Sequence, residues 1–379
     1  MSYLSKSRLL VAMYMSGGFF ISNPAVASNQ FIDPVDGRLD ASQFILDNAA
    51  GFLPVPIMIT DPAVGMGGGG ALLFFHESAE RKARREAGEQ VADVPASVSG
   101  LVGLSTENGT KVYGAFHSGN WLNDRVRYMG GLFKADVNLV YNFPALGTDA
   151  SINTEGNYFF QELDIRLGDS NVFFGAGYTY MNSVSTFTDM KDIEGEIPSP
   201  ESKDADLSLK LTYDSRNNQI APKTGTHAGL KWNGHRKTLG GDHNFNRYHA
   251  YVQNYQRLTD KWGLALRGDY KTLDGEAPFY SSPYVEMRGI AAMTMRNDNA
   301  ALMEAELSYD IDDRWTVLTF AGIATAYDHQ KNLRDANWST TGGGGFRYLI
   351  ARQLGITSGL DVAQGPKETA LYIQFGSAW

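Results

Sequence analysis

The feature that most limits what this chain can fold into is a two-residue hydrophobic period, repeated along most of its length and carried to its last residue. In the closing stretch Glu368–Trp379, residues Leu371, Ile373, Phe375 and Trp379 fall on one face, and Ala370, Tyr372, Gln374 and Gly376 on the other. The clearest run is Asp204–Arg216, where Leu207, Leu209, Leu211 and Tyr213 oppose Asp206, Ser208, Lys210, Thr212 and Asp214. Alternation of this kind gives a strand one greasy and one polar side. Tyr158–Leu167, Asn171–Ser183, Gly225–His235, Trp262–Asp274 and Ala300–Ile311 repeat it over about 10–13 residues each. A soluble sandwich alternates too, but over shorter strands whose apolar stripes meet a second sheet. Strands of this length cross a bilayer at a tilt.

Beyond the N-terminus no stretch supplies the ~18 uninterrupted apolar residues of a membrane-spanning helix. A chain that enters lipid without helices must close its sheet, so that no backbone group stays unpaired in hydrocarbon. Residues 1–27 read as an export signal: Lys6 and Arg8, an apolar run from Leu9 to Ile21, and Ala25-Val26-Ala27 as the cleavage site. The signal carries two positive charges and no acid, so its removal takes the net charge from −9 to −11. An acidic exported chain is a poor partner for nucleic acid. With 0 cysteines it has no disulfide framework, thiolate metal site or cysteine nucleophile. Its 43% hydrophobic content does not decide the matter, because every second residue of a barrel strand faces a polar lumen.

Residues 28–63 precede the strands, with Asp40 as N-cap of a short helix over Ala41–Ala49 and Pro54 and Pro56 breaking regularity after it. From Val64 onward the pattern predicts sixteen strands, the fourth and fifth both drawn from Arg125–Tyr141, so that residues 64–379 form an antiparallel transmembrane β-barrel. Connections alternate in length. Glu107–Gly109, Gly168–Ser170, Thr259–Lys261 and Asp312–Arg314 are short, while Glu77–Pro95, Pro144–Gly156, Val184–Lys203, Arg236–Phe245, Gly275–Asn297 and Asp328–Asn337 are long. Outer-membrane barrels show this asymmetry, with tight periplasmic turns, long outer loops and both termini in the periplasm. Arg81, Lys82, Arg84 and Arg85 in the first long connection would meet lipopolysaccharide phosphates or simply be solvated.

Several chemistries can be set aside. Gly65-Met66-Gly67-Gly68-Gly69-Gly70 lacks the lysine, hydroxyl and helix of a phosphate cradle. It reads instead as a flexible first strand or as an aid to barrel curvature. His227 and His235 are too far apart on one strand to share an ion, and no Ser-His pair stands out. Turn and cap duties explain Asp33, Asp36 and Asp40 better than a calcium loop does. Neither catalysis nor a cofactor is expected.

One stretch carries a family likeness. Pro278-Phe279-Tyr280 followed by Met287-Arg288-Gly289-Ile290 resembles the sixth extracellular loop of the BamA/TamA family, the bacterial surface-antigen barrels. Tyr213-Asp214-Ser215-Arg216 with Pro222-Lys223-Thr224-Gly225, and Gly345-Phe346-Arg347-Tyr348, are similar to two further family segments. The resemblance implies a loop folded back into the lumen, with Arg288 paired to an acidic residue on the wall. Glu306 best matches that position, and Glu304 shares its face. The family's second carboxylate falls at Gly322, which cannot supply one. The resemblance further implies that the seam between first and last strands is a lateral gate, here Gly65, Gly67, Gly68, Gly69 and Gly70 against Leu371, Ile373, Phe375 and Trp379. Residues 28–63 are too few for even one of the family's periplasmic POTRA modules, so a stand-alone barrel is expected.

The function so implied is insertion, assembly or translocation of protein or lipid at the outer membrane. The alternative is a structural barrel or passive pore without assembly activity. Expected partners are outer-membrane lipid and lipopolysaccharide, unfolded outer-membrane protein or lipid clients, and separate periplasmic factors.

Overall fold

A computed structural model describes residues 31–47, 52–61, 63–76, 87, 97–143, 148–187 and 201–379; the export signal and residues 81–86 lie outside them. A short helix, α1 (Ser42–Asp47), precedes one antiparallel sheet. Its strands are β1 (Phe52–Ile59), β2 (Gly67–His76), β3 (Ser97–Thr106), β4 (Lys111–Trp121), β5 (Val126–Phe143), β6 (Thr148–Arg166), β7 (Val172–Phe187) and β8 (Glu201–Asp214). They continue as β9 (Gly225–His235), β10 (Phe245–Arg257), β11 (Trp262–Gly275), β12 (Asn299–Asp310), β13 (Trp315–Tyr327), β14 (Ser339–Ala351), β15 (Ile356–Gln364) and β16 (Thr369–Phe375). Each pairs with its sequence neighbours, giving a nearly closed barrel of 16 strands. No helix among the described residues is long and apolar enough to cross a membrane.

The strand number agrees with the sequence pattern, but two boundaries change. The sheet opens at Phe52 rather than Val64, because Pro54 and Pro56 are tolerated on an edge strand. Arg125–Tyr141 supplies one long strand, β5, rather than two, since nothing in it turns. The two changes cancel, and the numbering agrees from β6 onward. They also exchange rims for the strands before β6. The ends of β2 and β3 that flank residues 77–96 share a rim with the start of β1, the end of β16 and the tight turns. The Glu107–Gly109 turn sits on the opposite rim, with the arginine loop. Residues 148–156, expected in a loop, instead lengthen β6 to 19 residues.

Outward positions are apolar: Leu132, Leu211, Leu230, Val252, Met303 and Val362 are exposed on the outer wall. At the rim of the chain ends, Trp121 stacks with Tyr128, Trp262 leans on Tyr309 and Trp315 on Tyr348. Amphipathic rings at that level suit a membrane–water boundary.

The inner wall is not uniformly polar, contrary to the simple barrel pattern. From β1 to β6 it presents Val55, Ile57, Leu73, Val98, Phe116 and Phe133, packed with Ile45 of α1 and with Tyr284 and Met293 of the β11–β12 loop. These side chains are buried against protein, not bathed by water, so apolar residues are stable there. The β6–β11 wall is charged. Lys210 reaches Glu162 at 2.7 Å and Asp164 at 2.8 Å, and Lys231 also pairs with Glu162.

Candidate functional site: the lumenal arginine clamp

The 276–298 connection folds inward because its middle is apolar. Val285, Met287 and Ile290 pack with Ala300, Leu302 and Ala324 on the β12–β13 wall. That anchor carries Arg288 into the lumen at 2% relative exposure. A buried guanidinium must find acceptors for its forked donors. Its Nε donates to Glu304 Oε1 at 2.8 Å, and its Nη1 donates to Asp361 Oδ2 at 2.8 Å. Glu306 Oε2 lies 2.8 Å from the same Nη1, but off the hydrogen-bonding direction. Below the plane, Phe320 stacks on the guanidinium carbon at 3.5 Å from the ring centroid.

Glu304 is thus the hydrogen-bonded partner on β12, with Glu306 as a second ion pair. The other carboxylate arrives from β15. Asp361 is also forked by Arg347, at 2.6 and 2.9 Å. Gly322 meanwhile makes room: a Cβ there would stand 2.6 Å from Met287 Sδ. Where the family likeness would put a carboxylate, this chain seats a methionine of the loop, and Asp361 supplies the charge from two strands away. Sequence reasoning missed Asp361, although an acid at an inward position between outward Leu360 and Val362 was the available signal. Arg347, part of the Gly345–Tyr348 likeness, gains its role only here, as the second partner of Asp361.

The loop is tied to the last hairpin. Gly289 N–H donates to Tyr372 Oη on β16 at 2.9 Å. Its backbone takes φ +87°, a region that suits glycine. Gly365, in the β15–β16 turn, lies so close that a Cβ on it would be 1.6 Å from the Gly289 carbonyl oxygen. Gly365→Ala is therefore expected to push the loop off the hairpin and cost about 1–3 kcal/mol, read as a lower thermal midpoint in detergent.

The sequence pattern puts Trp379 on the outer face with Leu371, Ile373 and Phe375. The structure places it elsewhere. β16 ends at Phe375, Gly376 turns at φ +71°, and the tail runs inward. Ser377 N–H donates to the Ile220 carbonyl at 2.8 Å, and Trp379 Nε1 donates to Glu304 Oε2 at 3.0 Å. The terminal aromatic residue is part of the clamp. Trp379→Phe keeps the ring but removes that donor, and should destabilise the barrel by about 1 kcal/mol, measurable in the same melt.

The glycine run is not at the seam. Gly67, Gly68, Gly69 and Gly70 belong to β2, between β1 and β3, and Gly65 lies in the turn before it. A Cβ on Gly69 would come within 2.1 Å of the Gly103 carbonyl oxygen, so close β2–β3 approach requires glycine there. The strand opposite β16 is β1, and among the described residues no ladder joins the two.

On the outer face at the rim of the chain ends, Ser99 Oγ sits 2.9 Å from both His76 Nε2 and His117 Nδ1, an arrangement not foreseen from sequence. Its neighbours are the Trp121–Tyr128 stack, and among the described residues no carboxylate hydrogen-bonds to either ring. Among those residues there is also no cluster of metal-ligating side chains.

The N-terminal aspartates have a clear partner. Arg314, fully buried, reaches Asp33 at 2.5 Å, Asp36 at 2.5 Å and Asp40 at 2.6 Å, and Arg352 adds a 2.5 Å contact to Asp33. Asp40 also caps α1, accepting from Ser42 N–H at 2.6 Å. The hydrogen bond from Arg352, with others from Val35 N–H and the nearby Arg314 charge, holds Asp33 down at about 2 against its burial. Asp312 is likewise lowered to about 2, by the backbone N–H groups of Arg314 and Trp315 and by Arg38. For Arg314 burial opposes the charge, but the surrounding carboxylates outweigh it and raise its pKa. These charges fasten residues 31–47 to the β12–β13 and β14–β15 turns.

Fold and site together define an outer-membrane β-barrel whose lumen is bridged by an inward loop bearing a buried arginine. The chain belongs to the Omp85 superfamily, whose domain matches residues 97–349. Among solved structures it is similar to BamA from Haemophilus ducreyi lacking POTRA domains 1–3, at 14% identity and a TM-score of 0.55, over 97% of this chain and 80% of that one. CdiB from Escherichia coli is similar at 12% identity and a TM-score of 0.58, over 85% of this chain and 61% of that one. CdiB from Acinetobacter baumannii follows at 10% identity and 0.56, over 86% and 59%. No protein of curated function matches the chain in sequence.

Proposed function

We propose that this barrel inserts, folds or translocates protein or lipid at the outer membrane through the β1–β16 seam, with its chain ends in the periplasm. The observation that carries the reading is the pairing of an unladdered seam with a clamp fastened beside it. Arg288, Gly289 and Gly365 tie the lumenal loop to β12, β15 and β16, so the loop braces the wall while the seam is free to part. No nucleotide or metal is required, because a client's own burial in lipid and strand pairing supply the free energy. Clients would be unfolded outer-membrane proteins or lipids, met together with membrane lipid and lipopolysaccharide, and separate periplasmic factors would deliver them. A passive pore fits less well, since the loop, the C-terminal tail and the charged wall occupy the lumen.

Liposomes carrying the full chain test this. Faster insertion of a urea-unfolded barrel protein, abolished by a disulfide across the seam, is the expected result. Solute leakage with no gain in insertion would mark the pore instead.

A further inference from the structure

Residues 31–40 form a miniature hairpin with two unlike faces. Asp33 N–H donates to the Arg38 carbonyl and Asp40 N–H to the Phe31 carbonyl, both at 2.9 Å, which makes Ile32↔Leu39 an antiparallel bridge. Gly37 turns the chain at φ +68°. A pair flanked by hydrogen bonds in this way brings its two side chains close together on one face, and the pairs on either side of it point to the other.

The flanking pairs meet the protein. Asp33 and Asp40 reach Arg314, Arg38 reaches Asp312 at 2.8 Å, and Phe31 lies against Phe44 of α1 with ring centroids 4.9 Å apart. With Asp36 also on Arg314, every charge of the hairpin is paired. The other face is apolar and uncovered: Ile32 is 44% exposed, Leu39 43%, and Val35 at the tip 75%.

That face adjoins the lipid-facing wall. Tyr348 Oη donates to the Leu39 carbonyl at 2.7 Å. Tyr348 is an outward residue of β14 in ring contact with Trp315, which also meets outward Phe346. Asp312, the partner of Arg38, follows Ile311, itself exposed on the β12–β13 turn.

We infer that residues 31–40 are a membrane contact separate from the barrel: Arg314 and Asp312 grip the charged face, while Ile32, Val35 and Leu39 enter the phospholipid leaflet at the rim of the chain ends. In the orientation proposed above, that leaflet is the periplasmic one. Lipid is the occupant because the patch runs on into the aromatic boundary of Trp315 and Tyr348, which suits the level of lipid headgroups. No unpaired charge has to be carried in with it. Three apolar side chains on a free peptide would hold a bilayer only weakly. Held in place by Arg314 they need no ordering on contact, so the same small face suffices. An interface between copies of this chain would need roughly 800 Å² per partner, far more than three side chains offer.

The chain has 0 cysteines, so a single nitroxide at Val35→Cys reports cleanly. The full chain is reconstituted in vesicles of phosphatidylethanolamine and phosphatidylglycerol, and the label's collisions with oxygen and with a water-soluble nickel chelate are compared. Oxygen partitions into lipid and the chelate into water. The oxygen-to-chelate ratio at Val35→Cys should exceed several-fold that of a label at Asp169→Cys, a 91% exposed side chain in another turn of the same rim. Equal ratios would put the face in water and overturn the inference. Adding Ile32→Ser/Leu39→Ser leaves the charged grip intact and should bring the Val35→Cys ratio down to the Asp169→Cys value, with the heat-modifiable band unchanged. Arg314→Ala should lower it likewise by letting the hairpin go. A ratio that either change leaves high would show that the apolar face held by Arg314 is not what meets the lipid. Spin–spin broadening that disappears on dilution with unlabelled chain would place a second copy on the face instead, and would equally sink the inference. None of these outcomes depends on whether the barrel inserts clients.

Discussion

Replacing Arg288 with alanine is expected to destabilise the barrel by about 3 kcal/mol, the lower end of the cost of breaking a buried ion pair by removing one partner. The lower end applies because the three carboxylates left behind are unequally placed, and Glu306, at 15% side-chain exposure, is the least buried of them. Asp361 keeps the two-pronged contact with Arg347 at 2.6 and 2.9 Å. Glu304, its side chain 0% exposed, retains only the Trp379 N–H at 3.0 Å and Arg267 at 3.8 Å. Arg288→Lys should recover little. An ammonium is a point charge, and bridging β12 to β15 takes a planar fork whose donors diverge. The measurement is the temperature at which the folded, fast-migrating gel band converts to the unfolded one. A double-mutant cycle with Glu304→Gln isolates the pair, since residues in contact do not add. Arg288→Ala melting within a degree of the parent protein would show that the clamp holds nothing. In the insertion assay the same variant should lose activity along with stability, whereas loss of activity at unchanged stability would locate the arginine's role in the client's path.

How much of this was readable from the residues alone depends on range. The two-residue period fixes which side chains face out, and the outer wall agrees with it from Leu207–Tyr213 on β8 to Leu371 on β16. That signal is local, so it survives errors elsewhere. The strand count agrees although the pattern omits Phe52–Ile59 and divides Arg125–Tyr141. Prolines suppress the strand signal in β1, yet an edge strand needs donors on one side only. The clamp was half visible. Arg288 and Glu304 stand on adjacent elements with a motif to mark them, but Asp361 is 73 residues from Arg288, and no local pattern joins them. Trp379 misled for a related reason: alternation assumes the strand continues, and Gly376 ends it. The apolar half of the lumen was missed because periodicity reports two faces without saying what packs on each. Loop residues Tyr284 and Met293 make that inner face a protein core.

The N-terminal anchor should fail when Arg314 is removed, and it should also fail at low pH, by a mechanism whose sign can be worked out. Arg314 satisfies three aspartates of a segment that touches the barrel through little else that is charged: Arg352 on Asp33, and Arg38 on Asp312 at 2.8 Å. Arg314→Ala leaves Asp33, Asp36 and Asp40 facing one another, so at neutral pH residues 31–47 should leave the rim. Trypsin cleavage after Arg38, slow in the parent protein, should rise at least tenfold while the barrel keeps its heat-modifiable band. Acid acts through the same groups. Asp33 and Asp312 titrate at about 2 when docked, below the ~3.9 of a free aspartate, and Asp36 is also lowered, chiefly by its hydrogen bond from Arg314. A carboxylate lowered in the folded state stabilises fully above its unfolded value and stops doing so as pH falls through its folded one. The anchor should therefore be intact at pH 5, weaken below about 4 and be released near 2. A spin label at Val35→Cys, on a side chain 75% exposed, should give a broad spectrum at pH 5 and a sharp one at pH 2, reversing on neutralisation. Arg314→Ala should give the sharp spectrum at both. A label that stays immobile at pH 2 would mean that α1 and its buried Ile45 hold the segment without help from the charges.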